Sequence, residues 1–169
     1  MIIRPATHAD LPALHALVHS AYRGDTARQG WTHEADLLGG QRTDVQALAE
    51  TLGDPGQVLL VADEGDVLVG TVTIAIGDPA YLGMLAVDPL RQAGGLGRQL
   101  VNAAEQAARN AGATAIEMTV IGARPELAAW YERLGYARTG EVRPFPATNP
   151  RFGLPMRDDL DFVVLRRGL

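Results

Sequence analysis

The chain has 169 residues, no cysteine, and a net charge of −5 from 20 acidic and 15 basic residues. Disulfide bonds and thiolate metal sites are therefore excluded, and the scattered basic residues argue against a nucleic-acid partner. No apolar run approaches the roughly 18 residues of a membrane span, and the first residues lack the apolar core of a signal peptide. We therefore expect a cytoplasmic protein that binds no membrane and forms one domain over residues 1–169.

The first half of the chain predicts one strand, two helices and a hairpin. "MIIRPA" is the strand, and the apolar residues after it have the spacing of one helical face. We prefer Asp10 as the N-cap of this helix to a capping box from Thr7, because Pro12 then falls in the first turn, where its missing N–H costs nothing. Residues 23–42 are too polar and glycine-rich to assign, and Thr43 then caps a second helix that ends at Gly53. Two β-branched runs around "DEGD" predict the hairpin.

The second half predicts a βαβ unit followed by one helix and two strands. "AYLGMLAV" is a strand, a helix runs from Leu96 to Gly112, and "ATAIEMTVI" is the next strand, so the two strands should be parallel. "RPELAAWYERLG" predicts a short helix that ends at Gly135, and "YARTGEV" and "DFVVLRR" predict strands on either side of a proline-rich loop. The expected fold is a mixed α/β sheet, mostly antiparallel with one parallel βαβ unit, flanked by about four helices.

Three glycines in four positions, Gly94, Gly95 and Gly97, stand between the first strand of this unit and its helix. A Walker A loop is excluded because no lysine follows the glycines. The dinucleotide-binding pattern G-x-G-x-x-G is excluded because Leu100 occupies the place of its third glycine. The pattern that remains is Q-x-x-G-x-G, which begins at Gln92.

This turn opens a helix, whose first N–H groups have no partner within the helix and carry a partial positive charge. Without Cβ atoms nearby, phosphate oxygens can reach these N–H groups directly, and Arg98 adds a cation in the same turn. The pattern therefore predicts a polyphosphate site. The alternative is a glycine-rich connection that only lets the helix and the strand pack closely.

Two segments resemble sequence motifs of the GNAT superfamily of N-acetyltransferases. "MLAVDPLRQAGGLGRQL" is similar to the acyl-CoA-binding motif of that family, in which a strand ends in a Val-x-Pro step and Q/R-x-x-G-x-G follows. "RPELAAWYERLGYARTGE" resembles the next motif, a short helix that carries a tyrosine and ends in glycine and an aromatic residue. The order of the predicted elements agrees with the family over essentially the whole chain.

The resemblance implies an acetyl-CoA-dependent N-acetyltransferase in which the acceptor amine attacks the thioester directly. Backbone N–H groups of the turn would hold the CoA pyrophosphate, and the strand edge before it would pair with the pantetheine arm. The Val87 N–H would face the thioester oxygen, and Tyr131 would protonate the leaving thiolate. Many members have asparagine where this chain has Arg124, so the hydrogen bond of that asparagine does not carry over. The residues implied in cofactor binding are Leu85, Ala86, Val87, Gln92, Ala93, Gly94, Gly95, Leu96, Gly97, Arg98 and Tyr131.

Three residues are candidates for the acceptor site. Trp31 lies in a polar, glycine-flanked segment and could stack on the acceptor, or it could anchor that segment to the core. Glu34 could hold the acceptor ammonium or relay its proton. Glu117 is the rival base, because a charge inside an apolar strand needs a reason, and strand alternation places it on the face of Thr119.

Other polar residues carry weaker signals. Arg143, Arg151 and Arg157 could bind an acceptor carboxylate, although solvated loop charges are the more frequent outcome. His15 and His19 lie four residues apart on one helical face, but no carboxylate on that helix completes a ligand set, so we expect no metal.

The sequence leaves two further functions open. One is a CoA-binding sensor or interaction module without catalysis, which an intact Tyr131 argues against. The other is a longer-chain acyltransferase, since acyl-chain preference depends on the pocket near Ile74 and Met84, and the sequence does not define the size of that pocket. The expected acceptor is a small-molecule or peptide amine, and the expected protein is a monomer or homodimer.

Overall fold

Strands and helices follow one another along the chain in the order that the hydrophobic pattern predicts. A computed structural model describes residues 1–39, 42–145 and 153–169. The helices are α1 (Leu11–Tyr22), α2 (Gly24–Ala27), α3 (Val45–Gly53), α4 (Leu96–Asn110) and α5 (Pro125–Arg133). The strands are β1 (Ile2–Pro5), β2 (Leu38–Gly39), β3 (Gln57–Asp63), β4 (Leu68–Ala75), β5 (Ala80–Val87), β6 (Ala115–Ile121), β7 (Ala137–Pro144), β8 (Leu154–Pro155) and β9 (Asp161–Gly168).

Seven of these strands form one sheet in the order β1-β3-β4-β5-β6-β9-β7. Every neighbouring pair in it is antiparallel except β5 and β6, which are parallel. The helix α4 makes the crossover between these two strands, so the predicted mixed sheet with one parallel βαβ unit is confirmed.

The parallel pair is short, because β5 bends away from β6. The two strands pair only at Ala80 with Ile116 and at Tyr81 with Glu117. Beyond that point the pairing of β4 with β5 shifts register, and Met84 has a φ of 44°, the left-handed conformation of a bulged residue. The sheet therefore opens between the C-terminal ends of β5 and β6, where open α/β sheets leave room for ligands.

The two faces of the sheet are covered by different helices. Along β3, Leu60 and Ala62 belong to the core beneath α4, whereas Leu59 and Val61 belong to the core beneath α1 and α3. This division follows from the alternation of side chains along a strand. The α4 side of the core also includes Leu96, Leu100, Val101, Ala104 and Ala108, at the helical spacing that the sequence predicts.

The structure corrects one predicted helix start and confirms the other. The N-cap of α3 is Asp44, which accepts a hydrogen bond from the Ala47 N–H at 2.7 Å, and Thr43 precedes it. Asp10 is the N-cap of α1, as predicted, and its carboxylate accepts from the Thr7 N–H at 2.7 Å and from Arg4. The capping box therefore exists and closes the single 3₁₀ turn His8–Asp10, while Pro12 lies in the first turn of α1.

Three short elements, α2, β2 and β8, lie where the sequence predicts none. The one-turn helix α2 brings the helices of the described residues to five, and β2 pairs with β8 through Leu38 with Pro155 and Gly39 with Leu154. None of the helices in the described ranges is both long and apolar enough to cross a membrane.

Candidate active site

A cleft of about 490 Å³ lies where β5, the glycine turn and α5 meet. The strand edge and the turn supply its backbone wall, and α5 supplies aromatic side chains. Gly94 is the one predicted cofactor residue that does not line the cleft. The predicted residues that do line it are Leu85, Ala86, Val87, Gln92, Ala93, Gly95, Leu96, Gly97, Arg98 and Tyr131.

The glycines of the turn serve separate purposes. Gly95 precedes α4 with a φ of 80°, a left-handed conformation that strains any residue with a Cβ atom. A Cβ atom on Gly97 would come within 3.2 Å of the Trp130 ring, so this glycine permits close packing of α4 against α5. The contact at Gly97 thus supports the explanation by close packing, here between α4 and α5, and the polyphosphate site stays a prediction. The first N–H groups of α4 begin at Leu96, at the edge of the cleft.

Gln92 connects the turn to the segment after α2. Its Oε1 accepts from the Trp31 N–H at 2.8 Å, and its Nε2 donates to the Val87 carbonyl at 3.4 Å. A Cβ atom on Gly30 would come within 2.5 Å of Gln92 Oε1, so a glycine is needed beside Trp31 for this contact. Gln92 thus positions both walls of the cleft.

The strand edge faces the opening of the sheet. The Asp88 N–H donates to the Val69 carbonyl of β4, so the N–H of the preceding residue, Val87, points away from β4 and toward the opening. The Leu85 carbonyl accepts from the Tyr22 hydroxyl at 2.5 Å. The Val87 N–H therefore has the direction required of a donor to a ligand that enters between β5 and β6.

Tyr131 stands at the inner end of the cleft with its side chain 5% exposed. Its ring packs edge-on against Trp130 and Tyr136, with centroids 4.8 and 5.8 Å away. Burial raises the pKa of the Tyr131 hydroxyl well above its usual value of 10, and the nearby Arg124 partly opposes this rise. At neutral pH the hydroxyl is therefore protonated and can donate a proton or a hydrogen bond.

A second cavity of about 460 Å³ lies beyond Tyr131, on the far side of the opening. Tyr81 and Thr119 contribute a pair of hydroxyls that lie 2.7 Å apart. Five residues line both cavities, so the two spaces meet at a shared wall. These residues are Tyr22, Leu85, Arg124, Leu127 and Tyr131.

The three candidate acceptor residues do not lie together. Trp31 lines the first cleft and not the second cavity, and it is 48% exposed, so its roles in stacking on the acceptor and in anchoring its segment both stay predictions. Glu34 does line the second cavity, but its buried carboxylate pairs with Arg23 and, at 3.3 Å, with Arg124. This pairing disfavours a role for Glu34 as a free base or ammonium ligand.

Glu117 lines neither cavity. It pairs with Arg166 at 2.7 Å and with Arg143 at 3.2 Å, and the hydrogen bond from Arg166 is the main cause that holds its pKa below the usual range. A carboxylate with a lowered pKa is a weak base, so Glu117 is poorly suited to deprotonate an amine. Thr119, which was predicted to share its face, does line the second cavity.

The other polar candidates also have protein partners or lie elsewhere. Arg143 is held by Glu117 and Glu141, and Arg157 pairs with Asp159 at the surface. Arg151 lies outside the described residues. Within the described part of the chain, no group of three or more histidine, aspartate or glutamate side chains could hold a metal ion.

Sequence reasoning missed a set of residues that surround the second cavity. Tyr22 is the last residue of α1, Arg23 follows it, and Arg42 follows β2. These residues are far from Arg124 in the sequence, so no local pattern predicts that they lie near it. Arg124 itself, noted as a departure from the family pattern, donates to Thr32 at 2.9 Å and to Glu34 at 3.3 Å. These contacts connect the start of α5 to the segment after α2.

We compared this chain, which has a cleft at the glycine turn, a split between β5 and β6, and a tyrosine between two cavities, with known proteins. A family model described as "Acetyltransferase (GNAT) domain" matches residues 28–146, well over half of the chain. The chain belongs to the GNAT acetyltransferase family. The resemblance seen in the two sequence motifs is thereby confirmed.

One curated relative and several solved structures are similar to this chain. Mycothiol acetyltransferase of Beutenbergia cavernae is 32% identical over 109 residues, which cover 63% of this chain and 34% of that protein. The chain thus spans about a third of the length of that relative. Ribosomal-protein-alanine N-acetyltransferase from Brucella melitensis has a TM-score of 0.72 at 22% identity, with 100% of both chains covered. The yncA protein of Salmonella typhimurium, solved with its cofactor acetyl-CoA, has a TM-score of 0.70 at 20% identity, with 100% and 94% covered. These structures share the GNAT fold.

Proposed function

We propose that this GNAT chain binds acetyl-CoA in the cleft at the glycine turn, binds an amine in the second cavity, and transfers the acetyl group where the two meet. The observation that carries this proposal is the shared wall between the two cavities, with Tyr131 in it. A module that only binds CoA has no need of a second cavity on the far side of that tyrosine. The sheet takes in strands from β1 to β9, which supports one acetyltransferase domain over the whole chain.

Several features of the cleft suit CoA. The first turn of α4 offers N–H groups to the pyrophosphate, Arg98 adds a positive charge, and the left-handed Gly95 exposes the backbone. The open edge of β5 at residues 85–87 offers main-chain groups to an extended arm, as in the addition of a strand to a sheet. Acetyl-CoA supplies the activated acyl group.

The residues at the shared wall assist the transfer in two ways. As the amine nitrogen forms its bond to the acyl carbon, the Val87 N–H stabilises the charge that develops on the carbonyl oxygen. As the carbon–sulfur bond breaks, Tyr131 donates its proton to the sulfur and recovers one from the acceptor nitrogen through water. Because Glu34 and Glu117 are both ion-paired, the amine loses its proton to solvent before it attacks. The rate should therefore rise with pH up to the pKa of the acceptor ammonium.

Calorimetry with acetyl-CoA tests the cleft. Gly95→Val forces a β-branched residue into a left-handed conformation at the turn, and we expect its affinity for acetyl-CoA to fall about tenfold or more. Gly112→Val is the matched control, because Gly112 has a φ of 90° at the opposite end of α4 and an open environment. It should lose similar stability and keep the affinity for acetyl-CoA.

Release of the free CoA thiol from acetyl-CoA with a panel of amines tests the transfer. Equal binding by Gly95→Val and the wild type would refute the cleft assignment. Tight binding of acetyl-CoA without thiol release for any amine would identify a binding module instead.

A further inference from the structure

The second cavity carries more positive than negative charge. Among the described residues, its charged lining residues are three arginines and one glutamate, namely Arg23, Arg42, Arg124 and Glu34. Arg23 is 1% exposed and Arg124 is 6% exposed, so solvent screens neither of them well. Glu34 contributes one negative charge against three positive charges, a surplus of two on this part of the lining.

The ion pairs reduce this surplus but leave one of the arginines without a carboxylate partner among the described residues. Glu34 is shared between Arg23 and Arg124. Arg124 also donates to Thr32, while its Nε is buried without a hydrogen-bond partner and lies 3.9 Å from the nearest carboxylate oxygen, on Glu126. A buried donor that makes no hydrogen bond is costly unless a ligand supplies the acceptor.

Arg42 is the arginine without such a partner. Its guanidinium lies over the Tyr22 ring, 5.3 Å from the centroid, and forms no ion pair with any carboxylate in the described ranges. Burial and then the positive charge of Arg42 lower the pKa of Arg23 to about 10. Because Arg23, Arg42 and Arg124 line the same cavity, their positive charges repel one another, and an anion between them would reduce that repulsion.

The remaining walls are apolar. They come from β2, β5, β6, β9 and the segments beside them, and they include Leu38, Met84, Met118, Ile121, Phe145 and Phe162. The rings of Phe145 and Phe162 pack with centroids 5.2 Å apart. An acceptor that fills this cavity therefore meets a cationic side, an apolar side and, at the shared wall, Tyr131.

We infer that the acceptor is a free amino acid with an apolar side chain, whose carboxylate binds between Arg42 and Arg124. Guanidinium groups match a carboxylate with two parallel hydrogen bonds, which an uncharged amide or amine cannot provide. The apolar wall takes the side chain, and the amino group faces the shared wall. This inference rests on the proposed function, because it assigns the second cavity to the acceptor.

The test compares ligands that differ only in the carboxylate. Calorimetry with the CoA-loaded protein measures L-leucine against L-leucinamide, and L-phenylalanine against L-phenylalaninamide. We expect each acid to bind at least tenfold more tightly than its amide, and kcat/KM with acetyl-CoA to show the same preference. The amide also represents a peptide N-terminus, so it separates a free amino acid from a protein acceptor.

Arg42→Gln links this preference to the cavity. Arg42 is only half-buried and makes no ion pair in the described residues, so the variant should fold, and its affinity for the acids should fall about tenfold with no change for the amides. Arg28→Gln is the matched control, since it removes the same charge from an exposed residue that pairs with Asp25 and Asp36 outside the cavity. It should leave all four affinities unchanged.

Three outcomes overturn the inference: amides that bind as well as the acids, acids and amides that both fail to bind, or an Arg42→Gln protein that keeps the preference. The same titrations without CoA, together with a titration of CoA itself, separate the two proposals. Absent CoA binding with retained acid preference would overturn the proposed function and leave the carboxylate site in place.

Discussion

The cofactor cleft and the acceptor cavity have similar volumes but are built differently. The cleft takes ten of its lining residues from one segment, 85–98. Tyr131 comes from α5, which follows α4 and β6 in the chain. The cavity is assembled from side chains of α1, β2, β5, β6, the start of α5 and β9. In the proposed function, one site would recognise its ligand mainly through backbone groups fixed by a turn, and the other through side chains gathered from distant parts of the chain.

The contrast between a backbone site and a side-chain site explains why the sequence predicts the cofactor and not the acceptor. A backbone site needs particular residues at fixed spacing, because only glycine adopts the left-handed conformation at Gly95 without strain. A side-chain site has no such spacing, because its members meet only after the sheet has formed. The cofactor can therefore be predicted from a motif, whereas the acceptor requires the structure.

The largest expected effect is at the residue that the two sites share. Tyr131→Phe keeps the ring and its packing and removes the proton donor, so turnover should fall by about 10²–10⁴-fold while the affinity for acetyl-CoA stays the same. Steady-state kinetics and calorimetry measure the two quantities.

Tyr136→Phe is the control for this variant. Its ring packs against Tyr131, but its hydroxyl donates to Glu105 at 3.0 Å and lines neither cavity. It should lose stability and keep turnover. Turnover of Tyr131→Phe within a few-fold of the wild type would show that another group protonates the sulfur.

The second effect is a loss of folding stability, caused by a substitution in the second cavity. Glu34→Gln leaves Arg23 and Arg124 buried without their shared carboxylate, so the free energy of unfolding should fall by about 3–5 kcal/mol. Chemical denaturation measures this loss.

Glu126→Gln is the matched control, because Glu126 approaches the same Arg124 and Thr32 from the surface. An exposed pair contributes about 1 kcal/mol or less. Equal losses for the two variants would show that the charges around Glu34 are neutralised in another way.

The smallest expected effect is a change in acetyl-CoA affinity when Trp31 is replaced, which tests to which of the two sites this residue belongs. Trp31→Ala removes a half-exposed ring from the cofactor cleft, so the dissociation constant of acetyl-CoA should rise about tenfold, or about 1.4 kcal/mol, and the acceptor KM should not change. Calorimetry and initial rates measure these constants. A raised acceptor KM with normal acetyl-CoA affinity would return Trp31 to the acceptor side, and a large fall in melting temperature would make it an anchor of the fold.

The elements of the main sheet could be predicted because each has a strong local signal. The runs that form β3 to β6 are β-branched and bounded by turns, and α4 has regular apolar spacing. The pair β2–β8 could not be predicted, since two residues on each side carry no periodicity. The cap of α3 was placed one residue early because threonine and aspartate are both good N-caps.

Two candidate acceptor residues lie in surroundings that no local sequence pattern indicates. The bond from the Trp31 N–H to Gln92 places this residue beside the first cleft. Arg23 and Arg124 approach Glu34 from other elements. Each of these contacts spans distant segments, so no window of sequence contains it.

The short pairing of β5 with β6 bears on how the molecule opens. The sheet consists of a four-stranded part, β1-β3-β4-β5, and a three-stranded part, β6-β9-β7, which in the described chain share backbone pairing only at Ala80 and Tyr81. Subglobal unfolding should follow this seam, so amide hydrogen exchange at residues 82–87 should report a lower opening free energy than exchange in β3 or β4. A ligand held along the β5 edge would join the two parts and raise that opening free energy by mass action. Protection of the seam against exchange would then rise with the concentration of the ligand, although no protein hydrogen bond is added there.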